Sequence, residues 1–280
     1  MNEIFAKLAM YMEYPFVRYA LAAGVLIALS AALLGVPLVL RRLSFIGDGL
    51  SHVAFGAMAV AGVLNFAGNL TVSLLLTIAC SIVLALTGRA SQTKGDAALA
   101  MLSVGAMAAG YMLMNLFPTS SNVSGDVCTT LFGSTTILTL TSGELWSCVA
   151  LSVAVIVFQA LTYHRSFEFA FDEDFARASG GGVTAFNLLS AVVVAVVIVV
   201  SMRLVGTLLV SALLVFPAVS ALRVCRSYLA VTLCAAVLAV VGVLVGMLAA
   251  IVAGTPVGAT VVMVNLAVFA VCYAVGKIRG

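Results

Sequence analysis

Charge is what this sequence has least of. Of its 280 residues, 8% are Asp, Glu, Lys or Arg, against 64% in the hydrophobic class, and the mean hydropathy is +1.27. A soluble domain keeps about a quarter of its residues charged, so that class is excluded and lipid must be the main solvent. Basic tracts are also missing; a net charge of +3 spread over the chain excludes a nucleic-acid partner. Histidine is confined to His52 and His164, with no H-E-x-x-H pattern, which argues against an intramembrane metallohydrolase. The phosphate-cradling pattern G-x-x-x-x-G-K-[ST] is absent, so any ATP has to be bound elsewhere. Cys80, Cys128, Cys148, Cys225, Cys234 and Cys272 form no C-x-x-C pair and read as small buried hydrophobes. Neither a long linker nor a low-complexity tract divides the chain, so a single membrane domain is expected over residues 1–280.

What is present is a series of windows that carry little or no charge, each near the roughly 20 residues needed to cross a bilayer as a helix. Residues 19–40 form one, and 49–88 hold two, with Asn65, Gly68 and Asn69 as the turn. Residues 97–117, 145–163, 178–202 and 204–222 follow, the last two separated by Arg203, and 227–276 is broken near Gly254, Thr255 and Pro256. The expected fold is an all-α polytopic bundle of about nine spans, or eight if one short piece is re-entrant. With nine spans, Arg41, Arg42, Arg89, Lys94, His164, Arg165, Arg223, Arg226, Lys277 and Arg279 gather on one side, which identifies that side as cytoplasmic. Arg203 is the exception. Residues 1–18 lack the order of a cleavable signal, so the first span is expected to remain as an anchor. Trp146 belongs at the outer interface of the fifth span.

Two polar places stand out, because charge at membrane depth is tolerated only where protein or water receives it. In the first, Asp48 and His52 stand four residues apart on one helix face, so a carboxylate and an imidazole can converge on one zinc, manganese or iron ion. The same residues also read as an Asp that caps the second span and a His that bonds a neighbouring helix. The second place is residues 164–180. There Asp172, Glu173 and Asp174 precede Phe175, Ala176 and Arg177, and a glycine stop follows at 180–182. This is the charge order of a short helix. Its density of phenylalanine (Phe167, Phe169, Phe171, Phe175) fits either a docking surface for a partner or a helix lying on lipid headgroups.

These places, in this order, resemble the ABC-3 permease family, the membrane subunits of bacterial ATP-binding-cassette importers for zinc and manganese. The resemblance runs from about residue 16 to the carboxyl end. It rests on Arg41, Arg42, Ser44, Gly47, Asp48, Ser51 and His52, on residues 94–99 and 131–133, on 205–210 with Pro217, and on 255–260. Residues 171–180 are similar to the family's coupling segment, with Ser179 where Leu is usual. The resemblance implies Asp48 and His52 as intramembrane metal ligands. It also implies Phe171, Asp172, Glu173, Asp174, Phe175, Ala176, Arg177 and Gly180 as the segment that fits a cytoplasmic ATPase.

The expected role is a permease in the bacterial inner membrane, surrounded by lipid. A second permease, another copy of this chain or a related one, completes the pathway, an ATPase drives it, and an external metal-binding protein delivers the ion. The chain itself is expected to perform no chemistry and to hold no cofactor, the divalent metal being cargo. One Asp and one His do not choose between zinc and manganese, since geometry and availability weigh as much as ligand type; zinc is placed slightly first. A gradient-driven secondary carrier using Asp48 is the alternative.

Overall fold

The computed structural model describes residues 10–11, 13–64, 69–87, 92–117 and 142–278. The motif at 131–133, the turn residues 65–68, Arg89, Cys128 and Arg279 lie outside the described residues. The described residues form ten helices: α1 Pro15–Leu40, α2 Ser44–Val63, α3 Asn69–Thr87, α4 Gln92–Leu116, α5 Ser142–Phe171, α6 Glu173–Ala178, α7 Val183–Val205, α8 Thr207–Val224, α9 Tyr228–Ala253 and α10 Val257–Ile278. Helices are what lipid permits, because every backbone N–H and C=O must find its partner within the segment.

Eight helices are long and apolar enough to cross a membrane, and α3 contains a shorter apolar stretch, Leu70–Leu86. Packing shows that α3 recrosses as well. A Cβ added at Gly49 would meet Leu99, and one at Gly56 would meet Ala106, so α2 and α4 run parallel and the chain must return between them. With α3, the described residues make nine crossings.

α1 lies at the centre, packed on α5, α8 and α9, while α2 packs on α3, α4 and α8. The α1 core is built of small residues, with Ala20, Ala23, Ala28, Ala31 and Ala32 buried. Between apolar helices in apolar solvent, close backbone approach replaces the hydrophobic drive. Gly35 illustrates this, since its Cβ would run into the Leu214 carbonyl of α8.

One end of the bundle collects the basic residues. Arg41 after α1 pairs with Glu173 of α6 at 2.7 Å. Phe167 at the end of α5 packs on Tyr228 at the start of α9, and Arg223 near the end of α8 lies over the Tyr273 ring of α10. This is the arrangement the charge pattern predicts for nine spans.

Two boundaries differ from the sequence reading. The fifth span continues as helix to Phe171, because Ser166 and Phe169 are buried while His164, Arg165 and Glu168 stay exposed, an amphipathic extension rather than a connector. The break between α7 and α8 falls at Gly206, not at Arg203; Gly206 has φ 86° and ψ 160°, a conformation that side-chain-bearing residues rarely adopt.

Candidate metal centre and coupling helix

α1 and α2 are joined by a tight turn. Leu43 N donates to Leu38 O (2.8 Å) and Arg42 N to Val39 O (3.0 Å), the paired bonds of a Schellman closure. Arg42 takes the left-handed position usually given to glycine, with φ 58°. α2 then starts at Ser44, with Leu43 as its N-cap residue. Asp48 is therefore the fifth helical residue and does not cap the helix, which removes the capping role from the sequence alternatives.

Asp48 and His52 project about 6 and 12 Å along α2 from Ser44. Their Oδ2 and Nε2 atoms are 3.8 Å apart, with the Asp48 side chain 52% and the His52 side chain 17% exposed. That separation is too long for a good hydrogen bond. It does suit two donors on one cation: with bonds of about 2.0–2.2 Å, such donors lie no more than about 4.4 Å apart. His52 Nδ1 is buried and has no hydrogen-bond partner among the described residues, the kind of atom that a bound ion or ordered water satisfies.

The glycines on either side of Asp48 bring neighbouring helices close. A Cβ at Gly47 would stand 3.0 Å from the Leu214 side chain of α8, and one at Gly49 would stand 2.8 Å from the Leu99 side chain of α4. Asp48 consequently occupies a ridge between two clefts. One, of about 580 Å³, lies between α2, α8 and α10 and includes Ser44, Ser211 and Met263. The other, of about 720 Å³, lies between α2 and α4 and includes His52, Ser103, Met107 and Tyr111. Neither is lined by cysteine. No group of three or more His, Cys, Asp or Glu able to hold a metal occurs among the described residues.

The residues assigned to coupling divide between two faces of α6. Asp172 caps the helix by accepting from Phe175 N at 2.9 Å. Ala176 is fully buried against Phe169, Val183 and Phe186. The chain then leaves through Gly180 (φ 82°), with Gly181 N bonded to Ala176 O; a Cβ at Gly181 would stand 2.7 Å from that oxygen. Outward, Phe171 is 86% and Phe175 68% exposed, and Asp174 is exposed beside them.

Glu173 points inward. It accepts from Arg41 at 2.7 Å, from Arg177 at 2.9 Å and from Asn187 at 3.4 Å. Partial burial alone would raise its carboxyl, but the Arg41 hydrogen bond and charge, aided by Arg177 and Asn187, hold it below the usual carboxylate range. Sequence reasoning missed Arg41 and Asn187 as partners of α6 and missed the cleft residues Ser103, Met107, Tyr111 and Ser211. Arg41 did carry a signal, its place in the motif leading to Asp48, but the charge rule absorbed it.

Comparison with known proteins gives the same architecture. The family model described as the ABC 3 transport family matches residues 13–276. A Treponema pallidum protein named "Probable metal transport system membrane protein" is 32% identical over 230 residues, covering 81% of this chain and 82% of that protein. A manganese transport system membrane protein of Listeria monocytogenes is 25% identical, covering 94% of this chain and 91% of its own. Among solved structures, PsaBC from Streptococcus pneumoniae in complex with Fab superposes with a TM-score of 0.84 at 21% identity, covering 96% of this chain and 95% of that one.

Proposed function

The chain belongs to the ABC 3 transport family, and from that premise we propose that it is the membrane-spanning subunit of an ATP-driven importer for a divalent transition metal. The observation that carries this reading is the Asp48 and His52 pair, one turn apart on α2, with ligand atoms 3.8 Å apart and open to two clefts. An oxygen and a nitrogen donor without a thiolate suit manganese as well as zinc. The names of relatives such as the Listeria protein favour manganese, where the sequence reading placed zinc first.

Two protein ligands make a weak site, which suits a carrier that must release its ion. Asp48 is half-exposed on a face that no helix among the described residues covers, so a second permease copy would place its own α2 there and complete the coordination. An external binding protein supplies the metal from the side opposite the basic, cytoplasmic end. ATP hydrolysis takes place on a separate cytoplasmic subunit that receives Phe171 and Phe175. Closure of two such ATPases moves α6 and shifts the bundle between outward and inward openings around Asp48.

The test is accumulation of manganese and of zinc in cells lacking their own importers, with the partner ATPase co-expressed. Asp48→Ala and His52→Ala, at equal membrane abundance, are expected to abolish ATPase-dependent uptake, and the metal lost names the cargo. Undiminished uptake in both variants would refute the site. Uptake that continues without the ATPase would favour the gradient-driven carrier.

A further inference from the structure

We propose that Arg41 is a positioning residue that transmits movement of the coupling helix to the metal helix, through its ion pair with Glu173. This rests on the transport reading above and adds a mechanical link to it. The exposed rings at α6 are Phe175 and, just before it at the end of α5, Phe171, whereas Glu173 turns the other way, toward Arg41. Its Oε2 accepts from Arg41 at 2.7 Å, and the Arg41 side chain is only 8% exposed. A charge so enclosed is not a solvated loop residue; it depends on the carboxylate that meets it.

The other anchor of α6, Ala176 in its socket with Phe169, Val183 and Phe186, ties it to α5 and α7. Arg41 ties it to the α1–α2 turn instead. That turn is stiff. Leu43 and Arg42 are bonded back to α1, and Arg42 is held at φ 58°, a backbone state that persists only where surroundings fix it. A displacement of α6 that carries Glu173 is therefore passed by Arg41 to Ser44, and Asp48 follows within the next helical turn. Because Asp48 stands between the two clefts, tilting α2 narrows one and widens the other. Glu173 also has a second holder, Arg177, on its Oε1 at 2.9 Å, so the carboxylate stays paired when Arg41 moves.

The experiment uses the whole transporter, this chain with its ATPase, in lipid vesicles, and reads manganese moved per ATP hydrolysed. Arg41→Met is expected to lower that ratio about tenfold, in the range of coupling energies between linked sites, while ATP hydrolysis changes less than about twofold. Arg41→Lys, which keeps the charge, restores most of the ratio. Arg41→Met combined with Glu173→Gln is no worse than either alone, as a shared link requires. A ratio unaltered by Arg41→Met, or a double variant whose losses multiply, would overturn the link. If Arg41→Met does not reach the membrane, Glu173→Gln set against Arg41→Lys decides: loss in the first with retention in the second is expected, and equal ratios refute. An unmodified transporter that moves no metal with ATP overturns the transport reading, and this link with it.

Discussion

Gly56 holds α2 against α4 at the depth of the Asp48 and His52 pair, one turn beyond His52, and its replacement by alanine has a cost that the geometry sets. The added Cβ would lie 2.6 Å from the Ala106 carbonyl oxygen and 3.3 Å from the Ala106 Cβ, where ordinary contact begins at 3.4 Å. The obstacle is backbone, so no side chain can swing aside, and the helices have to part by about 0.8 Å. Overpacking of this kind costs about 1–3 kcal/mol, offset by up to about 1 kcal/mol of helix propensity. Gly56→Ala should therefore lower stability by about 1–2 kcal/mol. Gly105, on the exposed side of α4, has nothing within 4 Å of an added Cβ, so Gly105→Ala should be neutral or stabilising by up to about 1 kcal/mol. Thermal unfolding of both variants in the same detergent is the assay, and they should move in opposite directions. A Gly56→Ala protein as stable as its parent would show that the α2–α4 crossing is looser than its contacts indicate.

Loss of the α6 cap in Asp172→Ala removes one orphan-donor bond and about 1 kcal/mol of local helix stability; ATPase capture on the immobilised permease should weaken while global unfolding is unmoved, and unchanged capture would contradict a preformed docking helix. The lowered Glu173 carboxyl gives a pH signature. A depressed carboxylate stabilises the fold fully above its unfolded value near 4.5, and the contribution is lost as pH falls through the lower folded value. The stability gap between the parent protein and Glu173→Gln should thus be present at neutral pH and narrow only as pH falls below the ordinary carboxylate range, through the lowered folded value; a gap that does not change with acid would assign the effect to packing.

Much of this fold was legible because lipid imposes a simple code. Apolar length located the spans, and clustering of Arg and Lys at alternate connections gave the side on which Arg41, Glu173, Arg223 and Lys277 lie. Asp48 and His52 were visible as polar residues in an apolar setting, and Asp172 with Gly180 marked the limits of α6 through cap chemistry. The extension of α5 to Phe171 escaped because charge was counted without its period: Ser166 and Phe169 share the buried face, and the charges occupy the other. The Arg41–Glu173 pair escaped for a different reason. Its members are 132 positions apart, and no local pattern encodes such a distance. The clefts flanking Asp48 depend likewise on helices brought together only by tertiary packing.

The length of α5 has an effect on assembly. Its 30 residues extend about 45 Å, against about 30 Å of hydrocarbon. With Trp146 at the far interface, Phe171 falls about 8 Å beyond the acyl chains, at headgroup depth. On the proposed reading, the exposed rings of Phe171 and Phe175 in a permease without its ATPase would rest among lipid headgroups rather than in open water. On that reading, joining the ATPase would be an exchange in which protein displaces lipid, making the affinity between the subunits partly a property of the bilayer.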